Sequence, residues 1–132
     1  MPLLTGSFRD VTAIRAHIPD AVFIAVTRAP PPRGIEGLIW VPELGPSRKL
    51  LKDFLRKKAQ YSHFLTPEEA HRRAWEDVSY EERYVMELRN SRRAREWMAK
   101  IRRMVLDGKT VVLLCFCPQK LRPYCHRFIL QD

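Results

Sequence analysis

The stretch that most constrains this chain lies near its C-terminal end, where residues 110–116 read TVVLLCF. The run follows Gly108 and Lys109 and leads into a loop containing Pro118. It is too short for a buried helix and lacks the apolar/polar alternation of a half-exposed strand, so it predicts a central strand covered on both faces. Such a strand requires a layered domain with helices above and below the sheet. The loop over 118–122 reaches Pro123, a residue suited to a first helical turn, which puts Cys125, His126 and Arg127 in the opening turns of a last helix. At a strand end of this kind an open α/β sheet gathers a ligand, because free backbone N–H groups and the positive end of a helix point there.

The rest of the chain supplies partners for that strand. Residues 3–5 make a short apolar opening, and Ser7 with Asp10 three positions on fits a capping box for a helix over 8–17 with Ile14 inward. Residues 21–27 (AVFIAVT) predict a second buried strand ending at Arg28. The segment APPPRG over 29–34 is a stiff loop, since successive prolines remove donors and fix φ. Residues 37–41 (GLIWV) predict a third strand, leaving through the loop Pro42-Glu43-Leu44-Gly45-Pro46. Ser47 then caps a helix over 48–60 with Leu50, Leu51, Phe54 and Leu55 on one face. Thr66-Pro67-Glu68-Glu69 starts another helix, to about Glu76. Ser79 and Glu82 form a further capping-box pattern, opening one long helix to Gly108 with Tyr84, Leu88, Trp97, Met98, Ile101 and Val105 as its inner stripe.

This order of elements predicts one α/β domain over residues 1–132, a three-layer sandwich with a small, mainly parallel central sheet and helices on both faces. Right-handed crossovers would set the strand ends Gly6-Ser7, Arg28, Glu43 and Cys115 to Cys117 along a common edge.

With 132 residues, 45% of them apolar, the chain is long enough to bury a core without staples. No stretch approaches the roughly 18 apolar residues of a membrane span, and the opening MPLLTGSFRD lacks the pattern of a signal peptide. The expectation is a cytoplasmic protein with no membrane partner. Three cysteines crowded into the C-terminal segment do not make a disulfide framework and are expected reduced. A net charge of +9 favours an anionic partner, either a small molecule or a nucleic acid, although a solvated surface rich in charge produces the same balance.

Several residues are candidates for chemistry. Cys125, next to His126 and Arg127 and close to Arg122, would have its thiolate favoured by the helix dipole and by positive charge, and so would suit a nucleophile with His126 or Glu43 as proton carrier. A half-buried packing cysteine is the plainer alternative. Cys117 to Arg122 spells C-x4-R between strand and helix, the layout of an anion-wrapping loop, but Pro118 removes a donor and no glycine tightens it. Ser7, Arg28, Cys115, Cys117, Arg122 and Arg127 complete the expected ligand-binding set. The spacing of Cys115, Cys117, Cys125 and His126 fits no standard zinc knuckle, so neither metal nor cofactor is expected. In RNSRRAREWMAKIRR, residues 89–103, Arg89, Arg93, Lys100 and Arg103 fall close to one helical face, as for nucleic-acid binding. The same run also suits the solvated side of an amphipathic helix.

These motifs together resemble one family, the domain of unknown function 488 (DUF488). The likeness lies in Thr5-Gly6-Ser7, spaced more tightly than usual, in the strand over 24–28 closing in Arg28 with Pro30, and in Glu43-Leu44-Gly45-Pro46-Ser47 followed by Leu50-Leu51. Its most specific part is Leu113-Leu114-Cys115 followed by Cys125-His126-Arg127. The family's usual Glu is replaced by Cys117, and its Asp before the second strand's Arg by Val26 or Thr27. The resemblance implies an α/β sandwich with the function open, and the two replacements imply a more cationic pocket.

Overall fold

The structure, a computed structural model, describes residues 3–116 and 129–130. In chain order the elements are β1 (Leu3–Ser7), a 3-10 turn (Phe8–Asp10), α1 (Val11–His17), β2 (Val22–Ala25), β3 (Ile39–Trp40), a second 3-10 turn (Pro42–Leu44), α2 (Arg48–Tyr61), α3 (Pro67–Asp77), α4 (Tyr80–Asn90), α5 (Arg92–Leu106) and β4 (Val111–Cys115). The four strands form one sheet in the order β1-β4-β2-β3, with every pairing parallel. The apolar run read as a central strand is indeed internal, flanked by β1 and β2, and all of β4 is buried.

Strand alternation separates the core into two layers. Val111 and Leu113 of β4 join Ile24 and Val26 under α2, α3, α4 and α5, in a cluster that includes Leu50, Phe54, Trp75, Tyr84 and Ile101. Val112 and Leu114 turn the other way with Phe23, meeting Val11, Phe8 and Ile14 from the α1 side. Helices therefore cover both faces, as expected, with α2, α3, α4 and α5 on one of them and α1 on the other. Full burial of each such side chain contributes about 1.5–3 kcal/mol, so the sheet is held chiefly by its two buried faces.

Several local readings change: the third strand, expected over 37–41, is assigned only to Ile39–Trp40, and the helix expected over 8–17 opens as a 3-10 turn before α1. The strand expected over 21–27 is assigned only to Val22–Ala25, the residues paired with β4, with β3 pairing Ile24 and Ala25 on the other side. The extended path nonetheless continues, with the Val26 N–H donating to the Leu114 carbonyl at 3.0 Å. The single helix expected between Ser79 and Gly108 is two helices. Ser91 breaks it, its hydroxyl accepting from the Ala94 N–H at 3.2 Å and so capping α5. The capping box at Ser79 does not form: Ser79 sits at φ 52 with no side-chain cap bond, since the chain must turn back from α3 to α4 there. The box at Ser7 and Asp10 is present in both directions, and Ser47 and Thr66 cap α2 and α3.

Candidate functional site

An all-parallel sheet gathers its strand ends at one edge, and the register fixes their levels. Ser7 is the partner of Cys115, and Ala25 of both Leu114 and Trp40. The chain segments leaving that edge carry Ser7, Arg28, Glu43 and Cys115, four of the candidate residues. Ser7 is only 4% exposed, and its N–H donates to Asp10 Oδ2 at 2.8 Å. Cys115 is a free thiol at 1% exposure, so it lies beneath the edge rather than on its surface.

Arg28 is the organising side chain of this edge. Its Nε donates to the Pro46 carbonyl at 3.1 Å and its Nη2 to the Gly45 carbonyl at 3.0 Å, so the guanidinium grips the exit loop of β3. It has no carboxylate partner among the described residues. A cation fixed by neutral carbonyls keeps its full charge for another anion. The loop fits because position 45 is glycine: a Cβ there would stand 2.3 Å from the Arg28 backbone nitrogen. On its far side the Leu44 carbonyl accepts from the Tyr84 hydroxyl.

The neighbouring carboxylates are engaged. Glu43 pairs with Arg93 at 3.3 Å, tying the β3 exit to α5. Glu87, which the sequence did not single out, reaches from α4 to the start of α2, accepting the Ser47 N–H at 2.9 Å and the Ser47 hydroxyl as well. A carboxylate at that helix N-terminus occupies the position where a bound anion would otherwise gain most from the dipole.

Two aromatic side chains at the same edge were also missed. The Trp40 indole N–H donates to the Thr27 carbonyl at 2.7 Å, yet the residue is 42% exposed. Phe116, 54% exposed, packs edge-on against Phe8 with ring centroids 4.8 Å apart. Both had been read as parts of apolar strands. Position at a strand's carboxyl end is the signal, since Trp40 closes β3 and Phe116 follows β4, where a side chain clears the covering helices.

Of the other candidates, Cys117, Arg122, Cys125, His126 and Arg127 lie outside the described residues. Arg89, Arg93, Lys100 and Arg103 do not share one helix: Arg89 ends α4, while the other three lie on α5. All four are exposed, and Lys100 lies over the Trp97 ring at 4.6 Å. Among the described residues no three His, Cys, Asp or Glu side chains gather as a metal ligand set, and no helix is long and apolar enough to cross a membrane.

Comparison with curated proteins and with solved structures gives no match. Residues 9–132 match the family model DUF488-N3a, described as the active DUF488-N3 subclade, which spans every strand except β1 and every helix. The chain therefore belongs to the DUF488 family.

Proposed function

We propose that the protein binds a phosphate-bearing ligand, a nucleotide or the end of a nucleic acid, at the carboxyl edge of its sheet. The observation that carries this reading is the Arg28 guanidinium, oriented by the Gly45 and Pro46 carbonyls without a carboxylate among the described residues. The exposed rings of Trp40 and Phe116 at the same edge favour a ligand with a base to stack as well as a phosphate to pair. Arg28 and Arg127 would hold the anion, with Cys117 and Arg122 around it and the buried Ser7 and Cys115 as the floor beneath it. Calorimetric titration of a nucleotide panel tests the assignment. Charge-assisted hydrogen bonds of this kind contribute about 1.5–3 kcal/mol each, so Arg127→Ala and Arg28→Gln should each weaken binding by roughly tenfold to a hundredfold. Unchanged affinity in both variants refutes the site.

A second reading makes the same edge an active site, with Cys125 as nucleophile and His126 or Glu43 as proton carrier. The family's description as an active subclade favours it. Iodoacetamide labelling against pH decides: an ordinary thiol titrates near about 8.5, whereas an activated one reacts well below that. A low-pH phase lost in Cys125→Ser supports the nucleophile; labelling with only the ordinary phase rejects it.

A further inference from the structure

Charge is unevenly distributed among the helices. α5 carries Arg92, Arg93, Arg95, Lys100, Arg102 and Arg103 against the single acid Glu96, whereas α3 carries more acids than bases. Three of the cations lie on one exposed flank. Arg93, Lys100 and Arg103 are seven and three residues apart, which sets them at about 0, 10 and 15 Å along the helix at its 1.5 Å rise. The first of them touches the candidate site, since Arg93 pairs with Glu43 in the turn after β3. Lys100 and Arg103 have no carboxylate partner among the described residues.

We infer that the ligand of the sheet edge is the end of a single nucleic-acid strand, whose phosphate backbone continues along the Arg93-Lys100-Arg103 flank of α5. This rests on the phosphate-site reading above and extends it from a nucleotide to a polymer. The exposed rings lie on the α1 side of the sheet edge and the cation row leaves it on the α5 side, so the strand would cross the edge between them; stacked bases with neutralised phosphates are the combination that holds single strands. An anionic membrane fits less well. The apolar stripe of α5, with Ala94 and Ile101 buried, faces the core, and Leu106 beside Arg103 is the one large apolar side chain that this helix exposes for insertion.

The test compares deoxythymidine monophosphate with oligothymidylates from dimer to hexamer, by calorimetry on the full chain, in the wild type and in a Lys100→Gln/Arg103→Gln double variant. Both positions are exposed, so the double variant should fold, as circular dichroism would verify. For about three neutralised phosphates, hexamer affinity should fall nearly twentyfold between roughly 50 and 200 mM salt, against about threefold for the mononucleotide. The double variant should retain mononucleotide affinity and lose most of the gain with length. Mononucleotide binding with no gain for longer strands would overturn the inference while leaving the sheet-edge site standing. Absence of binding by monomer and hexamer alike would remove both. Association with phosphatidylserine vesicles in place of oligonucleotides would assign the α5 flank to a membrane and overturn the inference.

Discussion

At position 45 a single hydrogen stands where any other residue would place a carbon, and that carbon would fall 2.3 Å from the Arg28 nitrogen and 2.7 Å from the Thr27 carbonyl carbon. Both neighbours are backbone, so neither can swing aside. Gly45 adopts φ −83, a conformation open to any residue, which makes the constraint purely steric. Gly45→Ala should therefore cost about 1–3 kcal/mol in urea unfolding, the usual range for overpacking, and should weaken nucleotide binding by displacing the loop that Arg28 grips. A second prediction concerns acid. The Asp53 carboxyl is held below its ordinary value of 3.8, chiefly by its hydrogen bond from Arg83 at 3.0 Å. A depressed folded value means that the unfolded chain takes up the proton first. This link between α2 and α4 thus stabilises fully above the unfolded value and is lost as pH falls through the folded one. Acid titration of stability should be flatter below pH 3.8 in Asp53→Asn than in the wild type. The same slope in both would deny Asp53 that role. At this scale the sequence marked Arg28 and Glu43 because they close strands. It gave no sign that Arg28 would bind carbonyls or that Glu87 would reach Ser47, since both contacts depend on how separate elements meet.

At the scale of elements, propensity and patterning determined what local chemistry could determine. Ser47 and Thr66 cap the helices they were expected to cap, Ser7 caps the 3-10 turn that leads into α1, and the apolar runs over 21–27, 37–41 and 110–116 became strands within those spans. The error was the continuous helix. The apolar stripe leaves a gap between Leu88 and Trp97, where residues 89–96 read RNSRRARE, and a single helix requires the period to carry across it. The local preference of Ser91 for an N-cap nevertheless prevailed, at φ −103 and ψ 113. Ser91→Ala should therefore cost about 1 kcal/mol, the usual loss on removing a side-chain cap, measurable in denaturant midpoints. An unchanged midpoint would mean that packing alone sets the break. The break also bears on the proposed path of a bound strand: it detaches Arg89 from the cationic row and starts α5 beside the β3 exit, where Arg93 meets Glu43.

For the molecule as a whole, the strand nearest the C-terminus lies inside the sheet, between the first and second strands of the sequence. Its double-sided burial could be read from composition, because a run apolar at every position has no face to give to water. Strand order could not, since pairing partners distant in sequence leave no local mark. Parallel pairing throughout brings the exits of these four strands to one edge, where the chain carries Arg28 and the exposed Trp40 and Phe116 of the proposed site. The most direct test of this account is to titrate a nucleoside monophosphate into the isotope-labelled chain and map the amide shifts by nuclear magnetic resonance. The account predicts that the largest changes fall on Ser7, Thr27, Arg28, Gly45 and Phe116, with α3 unmoved. Changes centred on α3 and the start of α4, or none at saturating ligand, would contradict it.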